Sequence, residues 1–386
     1  MEQFLSSWSI SVPKCITPFN INRFFQHHAR IIIPSIFLGI IVGWMTLTSS
    51  GRGMLPKTRN YTPEHPYFHR HLHREKCAYV TLLATKTNLT DYEEFTYYFN
   101  GARVLAYQLL HAPDTRDDKE FIVLMPNDLI GKPDVARKVQ TLRQEGVTVK
   151  FISPVDLPEE IVAQEFRPKY AKVFTKLRLW QLTEYDRLMY IDSDILLRKS
   201  LKSIWDLPET KTQKSVPWAN QSTEGQYFDS EHFATLFGED KIEDEEYVFA
   251  AGVDHKIEQH QPYMNTGFFV FRPSELIFDR LMKIMPYSDA YKGLVYGEQN
   301  LINYYFRKHG PFPWQAFPDR LHTLGGEHFD LQPPKVAVLH TKWWEMDGKK
   351  DAARFGYRIL GRVEQMEIEK NGFVSSFEYR PHIESD

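Results

Sequence analysis

Tyr185-Asp-Arg-Leu-Met-Tyr-Ile-Asp-Ser-Asp194 holds a short apolar strand, Arg187 to Ile191, that runs straight into two carboxylates. A brief apolar run between polar flanks reads as a strand buried on both faces. In open α/β sheets, ligands sit at the carboxyl ends of such strands. A bend at the strand end lets Asp192 and Asp194, on either side of Ser193, reach one ion. Two carboxylates make a hard oxygen pair suited to Mn2+ or Mg2+. Such an ion can bridge a diphosphate and neutralise charge on a leaving group.

Upstream, strand and helix patterns alternate. Cys77-Ala-Tyr-Val-Thr-Leu-Leu83 reads as a buried strand, and Glu93 to His111 as a helix. Phe121 to Met125 is a second strand, Pro133 to Glu145 a helix, and Val147 to Ile152 a third strand. Lys169 to Leu182 then reads as the helix that delivers the chain into the fourth strand. Strands alternating with helices predict a Rossmann-like α/β fold with a mostly parallel sheet and right-handed crossovers.

Composition narrows the partners. The 386-residue chain is 42% apolar, enough for a substantial core, and its net charge of −3 offers no basic field for nucleic acid. Its many Tyr, Phe and Trp residues serve core packing first, with a few left over for stacking on sugars or bases. Ile31 to Gly51 contains no charged residue, and about 20 apolar residues suffice to cross a bilayer. It begins too far from the N-terminus for a cleaved signal peptide. Residues 31–50 are therefore expected to be a transmembrane signal anchor, with 1–30 a cytoplasmic tail, 51–75 a Pro- and His-rich stem, and 76–386 a lumenal domain. Sequons at Asn60, Asn88 and Asn220 agree with that topology. Cys15 and Cys77 flank the anchor, so neither a disulfide framework nor a cysteine metal site is expected.

Asp-x-Asp after a strand has more than one use. Phosphatases of the haloacid-dehalogenase type employ the first Asp as nucleophile and the second as acid/base, and need a further acidic motif. Asp240 and Asp244 imitate its spacing but lie in a polar run without a strand before it, which reads as a solvated face. A non-catalytic carbohydrate-binding protein is the third alternative.

The wider sequence resembles glycosyltransferase family 8, the glycogenin-like enzymes, across residues 77–350. Six blocks match in order: Ala78 to Ala84 with Tyr98-Phe-Asn-Gly-Ala102, Thr175 to Trp180, Tyr185 to Asp194, Asn265-Thr-Gly-Phe-Phe-Val-Phe271, Glu298-Gln-Asn-Leu-Ile-Asn303, and Val336-Ala-Val-Leu-His340. The resemblance implies a GT-A fold, a UDP-sugar donor and transfer with retention of anomeric configuration. It implies that Asp192, Asp194 and His340 hold the metal, expected to be Mn2+ with Mg2+ as substitute. Lys176 would meet the diphosphate or donor sugar, and Asn265 and Gln299 would bond sugar hydroxyls. Thr266 and Gly267 would line the same pocket, Tyr98 would face the uracil ring and Leu82 would border it.

Two positions depart from the family. Glu298 stands where an Asp near the reacting carbon is usual. The Gly and Lys that follow the metal His in glycogenin-like enzymes are missing, and Lys342 is the candidate substitute. The interval from Asp194 to Asn265 is long and holds Trp218, consistent with an acceptor-side insertion or a surface loop. Pro311 to Pro318 reads as part of an acceptor cleft or as packing. The anchor sets this chain apart from soluble glycogenin and matches anchored fungal relatives that transfer N-acetylglucosamine. A Golgi location follows from the same resemblance, with a glycan, lipid or protein as acceptor.

Overall fold

The computed structural model describes residues 75–84, 92–159, 168–216, 242, 244–254, 263–287, 297–318, 321–324, 336–345 and 350–371. The expected anchor at 31–50, the three sequons, Trp218 and Asp240 lie outside them. Among the described residues, no helix is long and apolar enough to cross a membrane.

The first half follows the alternation in the sequence. Strand β1 (Cys77–Leu82) leads to helix α1 (Tyr92–Ala106), then β2 (Glu120–Pro126), α2 (Pro133–Gln144), β3 (Thr148–Ile152), a helical segment at Pro168–Gln181, and β4 (Arg187–Ile191). Next come β5 (Ile195–Leu197), β6 (Gln213–Lys214), β7 (Glu246–Tyr247), β8 (Phe249–Val253) and β9 (Met264–Phe271). Helices α3 (Glu275–Ile284) and α4 (Glu298–Tyr305), strands β10 (Gln315–Ala316), β11 (His322–Leu324) and β12 (Val338–His340), and helix α5 (Lys350–Asn371) complete the order.

The main sheet runs β10-β8-β9-β4-β1-β2-β3. Six of its strands are parallel to one another; β9 alone opposes both neighbours, β4 and β8. The architecture is thus mixed α/β and mostly parallel, as the sequence pattern and the family resemblance led one to expect. Strand direction leaves no trace in an apolar run, so the sequence alone could not single out β9. Every residue of β9 is buried, so its continuous apolar sequence records two covered faces.

Alternating side chains divide the core. Ala78, Val80, Ile122, Leu124, Leu188 and Tyr190 face one side, under α3, α4 and the Pro168–Gln181 segment. Tyr79, Phe121, Val123, Met189 and Ile191 face the other, under α1 and α2. A one-residue slip in register would exchange the two sets.

Three segments are finer in structure than their sequence pattern. The helix expected at Lys169 to Leu182 spans Pro168–Gln181 and winds as 3-10 turns. With three residues per turn, side chains at i and i+3 eclipse, and Phe174, Leu177 and Trp180 form one buried ridge. Trp180 stacks on Phe249, Phe269 and Phe306 at 5.9–6.0 Å, a contact that outweighs local helix preference. The helical stretch expected at Glu93–His111 is α-helical to Ala106 and widens to a π-turn at Tyr107–His111. Pro311 to Pro318 takes the packing alternative, since Phe312, Trp314 and Phe317 are buried in the two cores.

Candidate functional site

Asp192 is the first residue beyond β4. Its amide donates to the Gly267 carbonyl of β9 at 2.7 Å, and its carbonyl accepts the Ile195 amide at 3.1 Å. That tight turn sends the chain back as β5. A second sheet, β11-β12-β5, then brings in the third residue: β5 pairs antiparallel with β12, with Ile195 opposite His340. The Thr341 amide also donates to the Asp194 carbonyl at 3.0 Å. Asp192, Asp194 and His340 thereby present one ligand atom each within 4.8 Å of one another. His340 Nε2 lies 3.0 Å from Asp194 Oδ1 and 3.8 Å from Asp192 Oδ2.

These residues fit a divalent cation. Asp194 Oδ1 is buried and has no hydrogen-bond partner; its approach to His340 is an ion-pair contact. A buried carboxylate oxygen with only an imidazole beside it is a position that a cation would satisfy. The other imidazole nitrogen, Nδ1, lies 3.1 Å from Asn265 Oδ1. That oxygen already accepts the Gly267 amide at 2.9 Å, so it faces Nδ1 as an acceptor and Nδ1 carries a proton. Orientation of a ligating His by such an outer partner is the usual design of metal sites. Burial works against the His340 imidazolium, but the Asp194 and Asp192 carboxylates outweigh it and raise its pKa. Burial would raise Asp194, yet His340 holds it below the usual carboxylate range.

Glycine makes the close approach feasible. A Cβ on Gly267 would sit 2.3 Å from His340 Cε1 and 2.6 Å from Asp192 Oδ2. Gly101 of α1 performs the same service behind the turn, where a Cβ would meet the Ser193 carbonyl oxygen at 2.0 Å. Ser193 therefore contributes backbone packing against α1.

The predicted sugar-side residues form one connected network. Lys176 comes from the 3-10 segment, buried, with its Nζ 2.6 Å from Glu298 Oε1 and 3.6 Å from Asp192 Oδ1. It also donates to the Thr266 carbonyl at 3.2 Å and lies over the Tyr190 ring. Burial alone would push this ammonium down, but Asp192 and Glu298 raise its pKa, so it is charged. Glu298 is itself buried, and its carboxylate is held by Lys176. Gln299 Oε1 accepts the Thr266 amide at 3.0 Å, and Gln299 Nε2 donates to Asp254 Oδ2 at 3.4 Å. Asn265 Nδ2 donates to the same Asp254 oxygen at 3.2 Å. A register shift between Ala251 and Gly252 sets Asn265 opposite Gly252 and so beside the end of β8.

Three expected residues stand at the margin. Leu82 belongs to the core on the α3–α4 face. Tyr98 is half-buried, and its ring meets Trp344 edge-on at 5.0 Å. Lys342 is more exposed and lies 3.7 Å from Glu345, yet its charge helps to lower Asp194. Asp244, the phosphatase-like acid, is exposed and ion-paired to Lys214.

Sequence reasoning missed Asp254, Tyr190 and Trp344. Asp254 was findable as a carboxylate just beyond a buried strand, the same signal that singled out Asp192. Tyr190, whose hydroxyl donates to Asp192 Oδ1 at 2.5 Å, reads in sequence as one more strand residue. Trp344 stacks on Tyr97 at 5.9 Å as well as meeting Tyr98, a pairing visible only in three dimensions.

An uncharacterized protein of Schizosaccharomyces pombe is 29% identical over 294 residues, 72% of this chain and 76% of that one. Galactinol synthase 2 of Arabidopsis thaliana is 27% identical over 291 residues, 72% and 76% of the two chains. Galactinol synthase 1 of Solanum lycopersicum is 23% identical over 286 residues, 72% and 77%. Among solved structures, the glycosyltransferase GlyE of Streptococcus pneumoniae is similar with a TM-score of 0.46 and 12% identity, covering 79% of this chain and 67% of that chain. The family model described as "Glycosyl transferase family 8" matches residues 96–343, from α1 through the His340 segment: the chain belongs to glycosyl transferase family 8.

Proposed function

We propose that the chain is a divalent-metal-dependent glycosyltransferase that moves a sugar from UDP to an acceptor hydroxyl with retention of configuration. The observation that carries this reading is the Asp192–Asp194–His340 cluster with its orphaned, buried Asp194 oxygen. Asp192, Asp194 and His340 would hold the ion, which supplies positive charge for the leaving diphosphate when bound. One imidazole and two carboxylates suit Mn2+, with Mg2+ as the alternative.

The remaining residues act on the sugar and on the ligands. Tyr190 and Lys176 both hold Asp192 Oδ1, which fixes that carboxylate for the ion. Asn265, Gln299 and Asp254 supply amide and carboxylate groups that can exchange their internal hydrogen bonds for sugar hydroxyls. The acceptor hydroxyl attacks the anomeric carbon on the face from which UDP departs. Residues 31–50 would anchor the protein in the Golgi membrane as a single-pass type II protein, with a glycan, lipid or protein as acceptor. N-acetylglucosamine is the first donor sugar to try, ahead of glucose, galactose and glucuronic acid.

The test incubates the purified chain with a panel of UDP-sugars and Mn2+ and measures release of UDP. One sugar should stand out, and EDTA or Asp194→Ala should abolish its turnover. Phosphomonoester hydrolysis without UDP release would replace this reading with the phosphatase.

A further inference from the structure

The C-terminal helix α5 lies beyond the family match, yet it reaches the metal-binding segment. Gly356, inside α5, abuts the indole of Trp343, where an added Cβ would be 2.4 Å from Cε3 and 2.5 Å from Cδ2. Trp343 stands three residues after His340 and is fully buried. Around it cluster Ala352, Ile359 and Leu360 of α5, Val104 of α1, and Leu196 and Leu339. The last two are register partners in the small sheet. Leu196 is two residues after Asp194, and Leu339 immediately precedes His340. The cluster therefore grips both strands that carry the second and third ligands.

At its far end the helix is clipped down. Arg103 of α1 lies 2.9 Å from Glu367 of α5 and 2.7 Å from Glu145, which follows α2. A glycine inside a helix is unfavourable unless something needs the space. α5 has two described interior glycines to compare. Gly356 has the Trp343 ring against it, whereas Gly361 has nothing within 4 Å.

We infer that α5 is a positioning clamp: seating Gly356 on Trp343 sets the separation of Asp194 and His340, and so the affinity of the site for its ion. The inference rests on the metal-binding reading above. Trp343 and Gly356 touch no reacting group under this account and act only through the strands.

Calorimetric titration of the metal-free full-length chain with Mn2+ tests it, using Gly356→Ala and Gly361→Ala as a matched pair. Both variants add one methyl to the same helix. Gly356→Ala should weaken Mn2+ binding about tenfold, the scale of outer-shell changes at metal sites. Its kcat at saturating Mn2+ should stay within about twofold of wild type, because the ligands themselves are intact. Gly361→Ala should bind like wild type. Should Gly356→Ala not fold, Glu367→Gln, which releases the Arg103 clip, carries the test with a smaller loss in the same direction. Equal Mn2+ affinity in wild type and the folded clamp variant overturns the clamp and leaves the metal reading standing. A wild-type chain that binds no Mn2+ overturns the metal reading and the clamp with it.

Discussion

The two halves of the site differ in how their polar groups are satisfied. On the metal side, Asp194 Oδ1 is buried with no hydrogen-bond partner, and three ligand atoms crowd within 4.8 Å. On the sugar side, Lys176, Glu298, Thr266, Gln299, Asn265 and Asp254 bond one another in a closed network. One half is poised to receive charge from outside. The other is already satisfied by its own internal bonds. The contrast teaches that burial means different things in the two halves: in one it creates demand for a ligand, in the other it locks a framework.

Predictions from this contrast start with the open half. Asp194→Ala should lower UDP-sugar turnover by more than about 100-fold, exceeding the usual outer-shell loss, while circular dichroism shows an unchanged fold. The closed half should respond in stability. Lys176→Met leaves Glu298 buried without its cation and should cost about 3–5 kcal/mol, read from urea unfolding. If Lys176→Met instead lost only activity, the division into open and closed halves would fail.

The residues joining the halves should show intermediate behaviour. Tyr190→Phe and Asn265→Ala remove the groups that orient Asp192 and His340, and each should weaken Mn2+ affinity by about 10–100-fold. The smallest effect belongs to a closed network away from the site. Burial pushes the Glu145 carboxyl up to about 7, and the nearby Arg103 offsets it only in part. Its folded pKa exceeds the unfolded one, so its contribution to stability is present below pH 4.5 and lost as pH rises through 7. Glu145→Gln should therefore flatten the dependence of the urea midpoint between pH 5 and 8. An unchanged slope would remove Glu145 from the account.

Much of this was legible beforehand because the signals were local. The run Arg187–Ile191 followed by Asp192 needed only strand burial and the rule that ligands gather at strand ends. His340 was legible only through the ordered blocks of the family, since its partnership with Asp194 depends on a second sheet that pairs residues far apart in sequence. The antiparallel direction of β9 and the 3-10 winding around Trp180 were not legible, because both arise from tertiary packing. Lys176 was expected to meet the donor, and the structure shows it in ion pairs within the protein. Its neighbours Glu298 and Asp192 add a structural duty that spacing alone could not reveal.

The central claim is that the open half exists to hold an ion that in turn holds UDP. Calorimetry of UDP binding to the purified chain, with Mn2+ and then with EDTA, tests it most directly beside Asp194→Asn. The account predicts UDP binding with Mn2+, its loss with EDTA, and its loss in Asp194→Asn even with Mn2+. UDP binding that survives both EDTA and the substitution would contradict it.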